Sequence, residues 1–358
     1  MNPRLTLLTV NVFLSCLFGT TASAQDKLPL RIYFLDATRG AMTLIVTPLG
    51  ESVLIDTGDS AAVHVERILL ACEDANVVEI DHLVTTHFAS EHIGGIRALS
   101  TRIPIRRFYD KGSRGADASA SLLSAYDNVT LSKQVVVGAG DEIALAQDRT
   151  LYHLRLTCLA SDRQIEGFEG DINAPVEDFT MMPGDDSEKG SSLVFLLTYG
   201  SFSFFTGGDI TWNLEHHLVH PENRVGQVDL YAVSNHGLDV SNNPLLLQSI
   251  EPTVCVASNG ESLGIMPSVF SDLLALPSLE TLFQLHYNLQ FGDSGNTDSI
   301  YIANRQGETG HWVKASAYPE KEIFEIELSR PGAILTYPIM PRPGVVPPPS
   351  PPPGGRAR

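Results

Sequence analysis

Residues 80–95 read Ile80-Asp81-His82-Leu83-Val84-Thr85-Thr86-His87-Phe88-Ala89-Ser90-Glu91-His92-Ile93-Gly94-Gly95. Ile80 to Val84 is a short apolar run of the kind that forms a buried strand, which puts His87 in the loop at that strand's C-terminal end. In open α/β folds that edge is where ligands bind. Two histidines and a glutamate close together ahead of a Gly-Gly turn supply the nitrogen and oxygen donors that Zn2+, Mn2+ and Fe2+ accept. The same residues also read as a polar loop with Ser90 capping a helix, and spacing alone leaves both readings open.

Three other stretches follow the same pattern of a strand that ends in a polar turn. They are Val53-Leu54-Ile55-Asp56-Thr57-Gly58, Phe205-Thr206-Gly207-Gly208-Asp209 and Ser234-Asn235-His236-Gly237. Taken in order with Thr86-His87 to Gly95, they resemble the motifs of the metallo-β-lactamase superfamily, nearest to the branch related to the extracellular domain of the DNA-uptake protein ComEC. The four motifs span about residues 32–260, and their order is more specific than any one of them. The resemblance implies an α/β fold, an αββα four-layer sandwich over residues 25–337. It also shows departures: the family's loop reads His-x-His-x-Asp-His, whereas Ala89 stands at the second His and Glu91 at the Asp.

Carried over residue by residue, the resemblance implies two metal positions that are unequally kept. The first retains His87 and Asp209 and loses its other histidines at Ala89 and around Ser191-Ser192. The second retains Glu91, His92, Asp209 and His236, so a single divalent ion is expected there, zinc first, with manganese or iron as alternatives. Asp209 bridges in the family and, with Glu91, is the candidate catalytic acid. Glu for Asp moves the carboxylate by roughly 1.3 Å from single-bond geometry, so Glu91 is read either as a relaxed ligand or as a general base. Asn235 and His236 compete for the late ligand position. Asp56 resembles the acid that receives an N–H from a ligating His and fixes its tautomer.

Met1 to Ala24 carries Arg4, an apolar run from Leu5 to Phe18 and Ala22-Ser23-Ala24, the pattern of a secretory signal peptide cleaved before Gln25. The run is too short for a membrane span, and the mature chain is expected outside the cytoplasm, periplasmic or secreted. Cys16 offers a competing lipid-attachment reading. Cys72, Cys158 and Cys255 sit among apolar neighbours without metal-type spacing and read as small buried residues. A net charge of −18 works against nucleic acid and anionic lipid as partners. The substrate, small molecule or polymer, is not legible.

The remaining chain reads as strands and helices in alternation. Strands are expected at Leu28 to Leu35, Thr43 to Thr47 and Ser52 to Ile55, then a helix from Ala61 to Ala75 capped by Asp59-Ser60. Another helix starts at Ile93, with Gly94-Gly95 allowing close packing beneath the site. The runs Leu193 to Tyr199 and Phe202 to Phe205 are the strongest strand signals, covered on both faces. Gln164 to Gly190 is a long acidic stretch without periodicity, read as a solvated lid. Asp36 reads as a turn cap, and His216, His217, His220, His286 and His311 have no motif support. Residues 338–358, rich in proline, are expected as an extended disordered tail.

Two functions therefore stand side by side. One is a secreted metal-dependent hydrolase with a reduced, mononuclear site, acting on an ester, amide or phosphodiester. The other is a catalytically inactive protein of the same fold, kept as a binding module.

Overall fold

A computed structural model of the chain describes residues 28–115, 118–165, 171–172 and 180–348. The leader expected over residues 1–24, the segments 166–170 and 173–179 of the acidic stretch, and the tail from 349 lie outside the described residues.

Alternation along single strands explains how the layers arise. In Leu30–Phe34, Ile32 and Phe34 point into a core shared by two sheets, while Tyr33 points the other way, into a core shared with helices. The first sheet has nine strands, in the order Leu335–Pro338, Ile323–Leu328, Val313–Tyr318, Leu30–Phe34, Thr43–Val46, Ser52–Ile55, Ile80–Val84, Ile105–Asp110 and Gln134–Val136. It is antiparallel up to Ser52–Ile55 and parallel from there on. The second has seven, Ile302–Asn304, Thr281–His286, Val254–Ala257, Leu230–Ala232, Phe202–Thr206, Val194–Tyr199 and Leu154–Ala160. Its first five strands are parallel, and Val194–Tyr199 pairs antiparallel with Phe202–Thr206 on one side and Leu154–Ala160 on the other.

Helices Ala62–Ala75, Ile96–Ser100 and Ala120–Thr130 cover the first sheet through Val65, Ile68, Leu99 and Tyr126. Helices Trp212–Val219, Pro244–Ile250 and Pro267–Leu274 cover the second through Leu218, Leu247 and Leu273. The result is the expected αββα sandwich. Val194–Tyr199 and Phe202–Thr206 are interior strands of the second sheet, with Phe204 facing the inner core and Phe205 the helices.

Local differences from the sequence reading have local causes. The helix expected from Ile93 is divided into Ser90–Ile93 and Ile96–Ser100 by Gly94-Gly95. Those glycines lie against the Thr57–Ser60 backbone so closely that a Cβ on Gly95 would sit 2.4 Å from the Thr57 carbonyl oxygen. Ser90 is not a cap, since its hydroxyl donates to Glu91 Oε2 at 2.9 Å.

Cys72, Cys158 and Cys255 are free and buried. Among the described residues no helix is long and apolar enough to cross a membrane. Past residue 337 the chain stays packed: Ile339 is buried, the Met340 amide donates to Asp229 Oδ1 at 2.9 Å, and the Arg342 guanidinium reaches Ser203 Oγ and the Gln227 carbonyl.

Glu215, on helix Trp212–Val219, is fully buried and accepts the Asn243 amide at 2.7 Å. Burial raises its pKa from 4.5 to about 7. A carboxyl with a raised native pKa holds its proton more tightly folded than unfolded, so stability falls as pH rises between those two values. The loss is on the order of 3 kcal/mol. Urea unfolding of Glu215→Gln across pH 4 to 8 is expected to give a curve flatter than wild type by that amount; parallel curves would show that Glu215 titrates normally.

Candidate metal centre

The parallel strands of both sheets run their C-terminal ends to one edge, and each delivers a polar residue there. Ser52–Ile55 leads to Asp56, Ile80–Val84 to His87, Phe202–Thr206 to Asp209, and Leu230–Ala232 to Asn235 and His236. Asp56, Asn235 and His236 all have positive φ, the conformation that lets a strand end turn abruptly and aim its side chain along the edge. Among the described residues, the ligand atoms of His87, His92 and Asp209 lie within 4.8 Å of one another. All three side chains are buried.

Asp56 organises this cluster. Its Oδ1 accepts the Thr86 amide at 2.8 Å, and its Oδ2 accepts the Thr86 hydroxyl and His92 Nδ1 at 2.7 Å each. The His92 Nδ1 proton is thereby fixed, and Nε2 faces Asp209 Oδ2 at 3.4 Å. In His87, Nδ1 lies 3.2 Å from both Thr86 Oγ1 and Ser192 Oγ. Those hydroxyls already donate to Asp56 and to the Lys189 carbonyl, so they accept from His87 Nδ1–H. His236 Nδ1–H donates to the Ser258 carbonyl at 2.8 Å, leaving Nε2 directed at Asp209 Oδ1, 3.6 Å away.

Three buried imidazole Nε2 atoms, of His87, His92 and His236, consequently have no hydrogen-bond partner. Leaving buried polar atoms unpaired is costly. Three imidazoles with fixed Nδ1 atoms gathered at one carboxylate, Asp209, are the donor set that a divalent transition ion takes up once His92 has given up its Nε2 proton, so the residues fit such an ion.

The charges support the same reading. Burial, and then the neighbouring His92, hold the His87 pKa well below its usual value, and burial lowers that of His236, so both are neutral donors. Burial also disfavours charge on His92, but the Asp209 and Asp56 carboxylates outweigh it and raise the pKa to about 10. Asp209, despite burial, is kept well below the usual carboxylate range, first by His92 and His236. His92 would therefore have to release its Nε2 proton to serve as a ligand.

Of the expected residues, Glu91 is not drawn into the cluster. Its Oε2 accepts from Ser90, and its Oε1 lies 3.6 Å from Lys189 Nζ. Lys189 also approaches Asp209 Oδ2 at 2.8 Å and Asn235 Oδ1 at 3.4 Å. Asn235 and His236 thus both face the site, the first toward the ammonium and the second toward Asp209. Two cavities open beside Lys189. One, of about 300 Å3, is lined by Arg39, Asp59, Ser90, Glu91, Lys189 and Leu263. The other, of about 360 Å3, has Trp212, Met182, Pro183 and Val240 among its walls.

Residues 35–141 match the family model described as the metallo-beta-lactamase superfamily. That stretch is similar to the metallo-beta-lactamase superfamily. It holds Asp56, His87, Glu91 and His92; Asp209 and His236 come from the second sheet. Among curated proteins nothing matches the chain. Solved structures similar to it include a mutant of the CmlA beta-hydroxylase, with 16% identity, 71% of this chain and 52% of that chain covered, and a TM-score of 0.43. The diiron beta-hydroxylase CmlA from Streptomyces venezuelae gives 15%, 64%, 44% and 0.38. The metallo-beta-lactamase fold protein YhfI from Bacillus subtilis gives 10%, 71%, 95% and 0.41. The chain spans about half the length of the hydroxylase chains it matches.

Several residues around the candidate site escaped the sequence reading. Lys189 and Glu188 lie in the acidic stretch read as a solvated lid, yet Glu188 is buried in an ion pair with Lys111 at 2.8 Å. Asp36 does cap a turn, accepting the Thr38 amide, and it also binds His286 Nε2 at 2.6 Å, Arg67 at 2.9 Å and the Gly310 amide. His217 and His220 line a separate cavity with Arg163 and Arg224, and His311 meets Ser329 at the surface. For Lys189 one signal was available: it lies just ahead of Ser191-Ser192, where the family places a ligand.

Asp56→Ala removes the acceptor of three hydrogen bonds in a dry site. Breaking such a buried network costs about 3–5 kcal/mol, to be read as a fall in unfolding free energy by urea titration. A loss below about 1 kcal/mol, the range of an exposed pair, would mean that Asp56 does not organise the cluster.

Proposed function

We propose that the protein is an extracytoplasmic metal-dependent hydrolase with one divalent ion, zinc first and manganese or iron next, acting on an ester, amide or phosphodiester. The observation that carries this reading is the set of three buried, unpartnered Nε2 atoms on His87, His92 and His236, with those of His92 and His236 facing Asp209 and His87 close to both His92 and Asp209. His87, His92, Asp209 and His236 would hold the ion, with Asp56 behind His92. A divalent ion held there would supply Lewis acidity and the means to make water nucleophilic near neutral pH. The likeness to the ComEC-related branch belongs to the same reading, as does export, which rests on the leader pattern of residues 1–24.

The chain's own groups supply the rest. Although burial opposes it, Glu91 is held below the usual carboxyl range by its own backbone N–H, His92, Ser90 and Lys189. At neutral pH it is therefore a proton acceptor, and it lines the polar cavity beside the cluster. Asp209 neutralises the histidine set and orients His92. The apolar cavity walled by Trp212, Met182, Pro183 and Val240 fits a substrate with an apolar portion next to the bond that is cleaved.

One observation favours the inactive binding module: Lys189 already gives Asp209 a cationic partner. Elemental analysis of the protein from Gln25 onward separates the two. About one equivalent of metal in wild type and none in His92→Ala supports the hydrolase; no metal after reconstitution with Zn2+ or Mn2+ supports the binding module. Against a panel of esters, amides and phosphodiesters, Glu91→Gln is expected to keep its metal and lose about 10^2- to 10^4-fold in kcat. Retention of full kcat would remove Glu91 from the chemistry.

A further inference from the structure

We infer that Lys189 is a built-in cation occupying the place of a second metal ion, and that it limits the site to one. This rests on the single-ion reading above and explains it.

The ammonium's neighbours carry the argument. Among the described residues the polar partners of Lys189 Nζ are oxygens: Asp209 Oδ2 at 2.8 Å, Asn235 Oδ1 at 3.4 Å and Glu91 Oε1 at 3.6 Å. Two carboxylates and an amide carbonyl are the hard donors that divalent cations accept. Asp209 divides its oxygens, with Oδ1 toward His236 and Oδ2 toward both His92 and the ammonium. The face of Asp209 that a second ion would bridge is thus already taken.

The lysine is held there from both sides. Before it, Glu188 is buried against Lys111. After it, Ser192 donates its hydroxyl to the Lys189 carbonyl at 2.8 Å and meets His87 through the same oxygen. A chain fixed at both flanks delivers its side chain to one place, so the contact is built in rather than a chance meeting of a surface lysine. The side chain keeps 34% of its exposure and lines both cavities.

Charge counting reaches the same result. Asp56 and Asp209 bring two negative charges to the cluster, and Glu91 adds a third beside it, on the far side of Lys189. Lys189 and one divalent ion, with neutral histidines, balance them. A second divalent ion would leave a net double positive charge in a largely buried site, which is strongly unfavourable.

The test is metal stoichiometry of full-length protein stripped with chelator, reloaded with excess Zn2+ or Mn2+ and desalted. Wild type and Lys189→Arg, which keeps the charge, are expected to hold one equivalent. Lys189→Met, which keeps the length without the charge, is expected to hold two, the second preferring Mn2+ because its donors are oxygens. Lys189→Ala repeats the comparison should the Met variant fold poorly by circular dichroism. One equivalent in wild type and still one in the uncharged variants overturns the inference and leaves the single-ion hydrolase standing. Two equivalents in wild type also overturn it. No metal in wild type with uptake in the uncharged variants supports Lys189 as the occupant and overturns the hydrolase; none in either overturns both.

Discussion

The structure of the edge depends on one buried carboxylate. Asp56 sits at the end of a parallel strand with positive φ, and the amide and hydroxyl of Thr86 and the imidazole of His92 all donate to it. Those three donors come from a neighbouring strand end and the helical turn after it, so a single residue sets the spacing between two elements. Thr86, so held, has only acceptor capacity left for His87. The tautomers of two histidines are thereby decided by an acid that touches only one of them.

Around that fixed point the charges form a nearly closed account. His92 lies between Asp56 and Asp209, and Asp209 in turn faces Lys189 and His236. Such a cluster has two ways to satisfy itself, by protons and an ammonium alone or with a metal ion that takes up the lone pairs. In the family pattern, histidines fill the positions where Ala89 and the Ser191-Ser192 region stand here. Here an internal cation, Lys189, stands against Asp209 instead.

The sandwich and most of the cluster were legible because they are written in local sequence. Each of Asp56, His87, Asp209 and His236 follows an apolar strand and precedes a turn, so strand periodicity and motif order locate them without coordinates. The direction of Glu91 was not legible, because one extra methylene allows several rotamers and only the neighbours Ser90 and Lys189 select among them. Lys189 was hidden by its surroundings, a lone base in a stretch whose acids dominate any compositional reading. The Asp36–His286 contact joins residues 250 positions apart, which no local pattern reveals. The packed start of the tail was concealed in a similar way, since Ile339, the Met340 amide and the Arg342 guanidinium anchor it through distant partners within a Pro-rich run.

That anchor also sets an orientation. Asp229 and Ser203 stand where strands of the second sheet begin, whereas Asp209 and His236 follow where those strands end. Gly344 to Val346 continue along the same side, near Tyr152 and the Gly200 turn. The described chain through Val346 therefore stays at the end of the second sheet away from Asp209 and His236, so the start of the Pro-rich run and the polar edge use the same strands from opposite ends.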